Sequence, residues 1–181
     1  MIDPVVGYVI VLGIALLFAT AAIHKLRDPH RFREVLSADA VLPAVLVPAV
    51  ARLLPILELL AALLLVSGAG HAAAAALPAM ALLVLYAAVL AVNLVRGRRD
   101  LDCGCGPARA HRPIAAWMVW RNGLLAALLG ASVLMRSARP LGIADFLILA
   151  CAVAVMSVLY AAFDRLLGEV MPRAVALRRH S

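Results

Sequence analysis

Charge is what this chain has least of. Only 15% of its 181 residues are Asp, Glu, Lys or Arg, and 66% are hydrophobic. Soluble domains run at about 25% charged and about 45–50% apolar, so the balance excludes a soluble globular domain. Acidic residues are the scarcer sign, 10 against 17 Lys and Arg, for a net charge of +7. The arginines sit at the ends of apolar runs, which is how membrane topology is written, and no nucleic-acid partner is expected. Three cysteines are too few for a disulfide scaffold. No cofactor motif and no convincing internal repeat is present.

What is there is a series of apolar runs: Val5 to Ile23, about Leu53 to Gly68, Ala72 to Val95, Ile114 to Met135, and about Leu141 to Phe163. A helix needs about 20 such residues to cross a bilayer. The first run differs from a signal peptide, which carries its positive charge before the apolar core. Here Asp3 precedes the run and Lys25 and Arg27 come after it, so it reads as a retained first helix with its N-terminus outside. Between the first two runs, Phe32, Val35, Leu36 and Ala40 share one face opposite Arg31, Arg33 and Glu34. That pattern predicts a short amphipathic helix in the interface. Pro43 and Pro48 interrupt the chain between this helix and the second span. Pro55 is expected in the first turn of that span, where proline is tolerated. The expected fold is all-α: a polytopic transmembrane bundle of four to five spans plus the interfacial helix over residues 1–163. A basic tail, 164–181, is expected on the membrane surface.

Orientation comes from counting. One side carries Lys25, Arg27, Arg31, Arg33 and Arg52, then Arg96, Arg98, Arg99, Arg109 and Arg112, then Arg165, Arg173, Arg178 and Arg179. The other carries Arg136 and Arg139, and Arg121 falls inside a span. The positive-inside rule puts the loop after the third span in the cytoplasm and the N-terminus outside, as in a multi-pass protein of a bacterial inner membrane.

That loop, Arg96 to Arg112, holds the one obviously reactive group, Cys103-Gly104-Cys105. Gly104 lets the backbone fold tightly enough to bring the sulfurs together. A ring so short is strained and easily reduced, which suits redox traffic better than a structural staple. Arg98, Arg99 and Arg109 favour thiolate, while Asp100 and Asp102 oppose them. Two other readings stand beside the redox one. As metal ligands the cysteines supply only two soft donors, with His111 a third, and four-ligand zinc sites need more. As a glycine-rich turn they need no function. Cys151, alone in the fifth span, reads as a small core or lipid-facing residue, and Trp117 and Trp120 as an interfacial aromatic belt.

Glu58 lies inside the second span, where a carboxylate costs about 2.5–3.5 kcal/mol at a helix centre. It is expected to face the bundle and find a cation or take up a proton, in a structural pair or a catalytic role. Arg121 and Asn122 in the fourth span, Lys25 at the end of the first and Asn93 near the end of the third fall in the same membrane half. Arg121 or Lys25 is the partner that charge compensation requires. The alternative has both snorkelling to the interface, which the position of Lys25 at its helix end favours slightly.

Taken together, these residues resemble the MauE family, related to DoxX-like membrane proteins. The resemblance is carried by Lys25-Leu26-x-Asp28-Pro29-x-x-Phe32, Leu42-Pro43, Glu58, Asn93-Leu94-x-Arg96-Gly97, Asp102-Cys103-Gly104-Cys105-Gly106 and Arg121-Asn122, and it reaches to about Arg136. Two departures are Gly106-Pro107 after the second cysteine, where the family commonly has phenylalanine, and Asp39-Ala40, where it tends to have an aromatic. The resemblance implies a role in maturing methylamine dehydrogenase, whose small subunit is rich in disulfides, together with a thioredoxin-like partner. Cys103 and Cys105 would be the redox pair, with Glu58, Arg121, Asn122 and Lys25 in support. A non-catalytic scaffold for that partner is the alternative. No cofactor is evident, although a membrane quinone is compatible with the chemistry. The dehydrogenase is periplasmic and the charge count puts the dithiol inside. Electrons are therefore relayed across the bundle, or the loop dips into the membrane, or the span count differs.

Overall fold

The computed structural model describes residues 3–39, 41–67, 73–98, 114–134 and 141–179, with backbone alone from 163 onward. The described residues form six helices: α1 (Pro4–Arg27), α2 (Pro29–Asp39), α3 (Val47–Val66), α4 (Ala73–Val95), α5 (Ala116–Leu134) and α6 (Ile143–Arg179). All but α2 are long and apolar enough to cross a membrane. The expected multi-span bundle with one short additional helix is what forms, and it has five candidate spans.

Local chemistry sets the helix ends. Asp3 caps α1 by accepting from the Val5 amide at 2.9 Å, with Pro4 in the first turn. Asp28 separates α1 from α2 and caps the latter: its Oδ1 accepts from the Arg31 amide at 3.1 Å, and Pro29 opens the helix. α3 begins at Val47, earlier than expected. Pro48 takes the tolerated first-turn position, and Pro55 lies inside the helix rather than in its first turn. Pro55 is buried, so its missing amide is accommodated among packed neighbours, as in other membrane helices. α4 ends in a Schellman motif. Gly97, at φ 72°, donates its amide to Leu94 O, and the Arg98 amide reaches back to Asn93 O, each at 3.0 Å.

Helices α1, α3, α4 and α5 close a ring, with α1 on α3, α3 on α4, α4 on α5 and α5 on α1. Phe18, Leu65, Leu83 and Leu129, one from each helix, are fully buried at its centre. α6 packs against α1 outside this ring, and many of its described apolar side chains, among them Phe146, Leu147 and Val158, are exposed. From 164 to Arg179 the basic tail is helical and continuous with the fifth span: α6 has 37 residues, about 55 Å at 1.5 Å per residue, against a hydrocarbon core of about 30 Å. Phe32, on the apolar face of α2, is buried against the ring, and Leu36 packs beside it.

Candidate functional site

A buried polar centre lies where α1, α3 and α4 meet. The ammonium of Lys25 and Oε1 of Glu58 form an ion pair, with 6% and 0% of each residue exposed. Tyr86 completes it: its hydroxyl donates to the same Oε1 at 2.5 Å, and Lys25 Nζ donates to that hydroxyl at 3.2 Å. Two rings enclose the ammonium, Phe32 at 5.3 Å and Tyr86 at 5.0 Å to their centroids, adding cation–π attraction where water is excluded. Glu58 Oε2 is buried and has no hydrogen-bond partner. The centre is therefore a charge-compensated unit with one spare acceptor on Glu58.

The structure chooses between the two expected partners of Glu58 and corrects the preference for a snorkelling Lys25. Side chains tilt towards the N-terminus of their helix. A lysine near the C-terminal end of α1 is thus aimed back into the bundle, where Glu58 stands on the neighbouring helix. Arg121 does something else. Its guanidinium lies over Trp117 at 5.2 Å and near Tyr160 at 5.9 Å, which joins α5 to α6 and gives Trp117 a partner beyond the aromatic belt. Asn122 is buried, but its amide donates to Met118 O of its own helix at 3.0 Å. Trp120 is 79% exposed, and Cys151 is a free, exposed cysteine.

A second polar contact pins the far end of α2. Asn93, 0% exposed, donates from Nδ2 to Asp39 Oδ1 at 3.4 Å, while its Oδ1 is buried and unpartnered. Arg98 Nη1 donates to the carbonyls of Ala38 and Asp39 at 3.4 and 3.3 Å, placing a cation at the negative end of the α2 dipole. Burial pushes the Asp39 carboxyl up from 3.8 to about 6, against the lowering effect of Arg98. Thus α2 is held at one end by its Asp28 cap and Phe32, and at the other by Asn93 and Arg98.

This arrangement gives two of the sequence patterns a physical reading. In Lys25-Leu26-x-Asp28-Pro29-x-x-Phe32, Lys25 makes the ion pair, Asp28 and Pro29 start α2, and Phe32 covers the ammonium. In Asn93-Leu94-x-Arg96-Gly97, Asn93 docks Asp39 and Gly97 ends α4. Tyr86 and Asp39 are not among the site residues expected from sequence. A tyrosine in the middle of an apolar span is the available signal for the first, since a buried phenol requires a partner. Cys103, Cys105, His111 and the arginines at 99, 109 and 112 lie outside the described residues. Among the described residues no cluster of three or more His, Cys, Asp or Glu is placed to hold a metal.

Comparison with known proteins agrees with the sequence patterns. Residues 3–136 match the family described as Methylamine utilisation protein MauE. The methylamine utilization protein MauE of Paracoccus denitrificans is 40% identical over 128 residues, 71% of this chain and 68% of the relative. That of Methylophilus methylotrophus is 38% identical over 172 residues, 92% and 88% of the two chains. That of Paracoccus versutus is 40% identical over 160 residues, 87% and 85%. No solved structure matches. The chain belongs to the MauE family of methylamine-utilisation membrane proteins.

Proposed function

We propose that this MauE-family protein is a membrane thiol–disulfide protein. In this reading Cys103 and Cys105 exchange with a thioredoxin-like partner, and so support disulfide formation and assembly of a methylamine dehydrogenase-like periplasmic enzyme. The observation that carries the reading is positional. The segment bearing both cysteines departs from Arg98, which clasps α2, and α2 in turn lies over the Lys25–Glu58–Tyr86 centre. The reactive loop is thus rooted at the end of the bundle where the polar groups gather.

The exchange is a two-electron step. To form disulfides, a thiolate of the reduced partner attacks one sulfur of the Cys103–Cys105 disulfide, forming a mixed disulfide and releasing the other cysteine as a thiolate. The partner's second thiolate then attacks the partner's own sulfur in the mixed disulfide, so the partner leaves as a disulfide and Cys103 and Cys105 remain as the dithiol. Re-forming the Cys103–Cys105 disulfide would pass two electrons and two protons to an acceptor, either a membrane quinone or the disulfide of a second thiol protein. Lys25, Glu58 and Tyr86 hold α2 and the loop root in place, and Arg121 and Asn122 stabilise α5.

The test is replacement of both Cys103 and Cys105 by serine. Partner maturation is expected to be lost while membrane insertion is retained. Full maturation in that variant would sink the redox role and leave a scaffold that binds its partner through the basic loop. The charge count further predicts that, in a Cys151→Ala background, a membrane-impermeant maleimide labels the pair only after permeabilisation. Prompt labelling of intact cells would place the loop outside.

A further inference from the structure

We propose that the groove between α2 and the start of α3 seats the headgroup of a phosphatidylethanolamine lipid. The groove is lined by His30, Arg33, Glu34 and Ser37 of α2 and by Val47 and Pro48 of α3. The four polar residues have the spacing that puts side chains on one helix face. Through their side chains, His30, Arg33 and Glu34 make no hydrogen bond or ion pair with the described residues. The groove therefore offers charged groups of both signs that the bundle itself does not use.

Its other rim explains why the occupant is a lipid. Ala44, also lining the groove, begins the turn that carries Val45 and Leu46, 87% and 48% exposed. Apolar side chains so exposed, beside the first turn of a membrane-spanning helix, belong in acyl chains rather than in water. Charged side chains on one rim and an apolar turn on the other mark the boundary between headgroups and hydrocarbon. A glycerophospholipid matches that profile from headgroup to chain. The charges then select the headgroup. Arg33, with His30 beside it, donates to the phosphate, and Glu34 accepts from a primary ammonium. Phosphatidylcholine carries the same phosphate, but its quaternary ammonium has no N–H to donate. Phosphatidylglycerol has no cation for Glu34.

The full chain in detergent, titrated with the three lipids of matched acyl chains and read by native mass spectrometry, tests this. Phosphatidylethanolamine is expected to bind most tightly. Arg33→Gln should weaken it by about two- to fivefold, the range an exposed ion pair supports. Glu34→Gln should bring it down to the level of phosphatidylcholine, and Arg52→Gln, a charge removed from outside the groove, should change nothing. Both groove variants alter the α2 surface, and an unchanged thermal midpoint in lipid-free detergent certifies their fold. Equal binding of the three lipids would overturn the assignment. So would tighter binding of phosphatidylglycerol, or a preference that survives in both groove variants.

Discussion

Lys25 and Glu58, 33 positions apart in the chain, form an ion pair inside the bundle, sharing Glu58 Oε1 with the Tyr86 hydroxyl. The pair ties α1 to α3, and its tyrosine brings in α4. Desolvating two charges is costly, and the carboxylate and ammonium are tolerable there because each neutralises the other and further donors and rings surround them.

Removing one partner should therefore harm more than removing both. Lys25→Met leaves a buried carboxylate uncompensated and is expected to destabilise the bundle by about 3–5 kcal/mol, as breaking buried pairs does. The double variant Lys25→Met/Glu58→Leu should recover a substantial part of that loss. Unfolding of the purified variants in detergent, arranged as a double-mutant cycle, measures the difference. Additive losses would mean that the two residues do not act as a pair.

Tyr86 separates the hydroxyl from the ring. Tyr86→Phe keeps a ring beneath the ammonium and removes one donor to Glu58, a loss expected at about 1–3 kcal/mol for a buried charged acceptor. Tyr86→Leu removes the ring as well and should cost more, by about 0.5–2 kcal/mol for the cation–π contact. Equal midpoints for the two variants would show that the ring contributes nothing.

Much of the fold is legible in the sequence because five apolar runs in a bilayer have few alternatives to spanning it. The start of α3 is not, because Pro48 reads as a break and Pro55 as the first turn of the span. The first occupies a helix first turn, where its missing amide is harmless, and the second is sheltered by packing. Charge compensation narrows the partner of Glu58 to Lys25 or Arg121 but does not choose between them. That choice depends on where Lys25 points from the end of α1, and on the rings of Trp117 and Tyr160 that hold Arg121. Asp39 stands out in the sequence only as a departure from the family pattern, since its contact with Asn93 spans 54 positions.

Asp39 makes the docking of α2 depend on pH. Its carboxyl is raised from 3.8 to about 6 in the folded chain, so the folded state binds the proton more tightly than the unfolded one. Stability from this group then falls as pH rises from about 4 to about 6 and levels off above. Protonated Asp39 can also donate to the unpartnered Asn93 Oδ1. Amide hydrogen exchange of α2 should slow as pH drops through that window, after correction for the intrinsic rate, and Asp39→Asn should abolish the dependence. An identical pH profile in the variant would show that Asp39 plays no part in it.

The redox role of Cys103 and Cys105 is tested most directly by a potential titration of the Cys151→Ala protein, equilibrated in glutathione or dithiothreitol buffers and trapped with a mass-tagged maleimide. Both cysteines are expected to pass together between dithiol and disulfide in a reversible two-electron transition, within about −120 to −320 mV, where cellular thiol couples and pools operate. Cysteines that stay fully alkylatable across that range, or fully protected across it, would contradict the redox role.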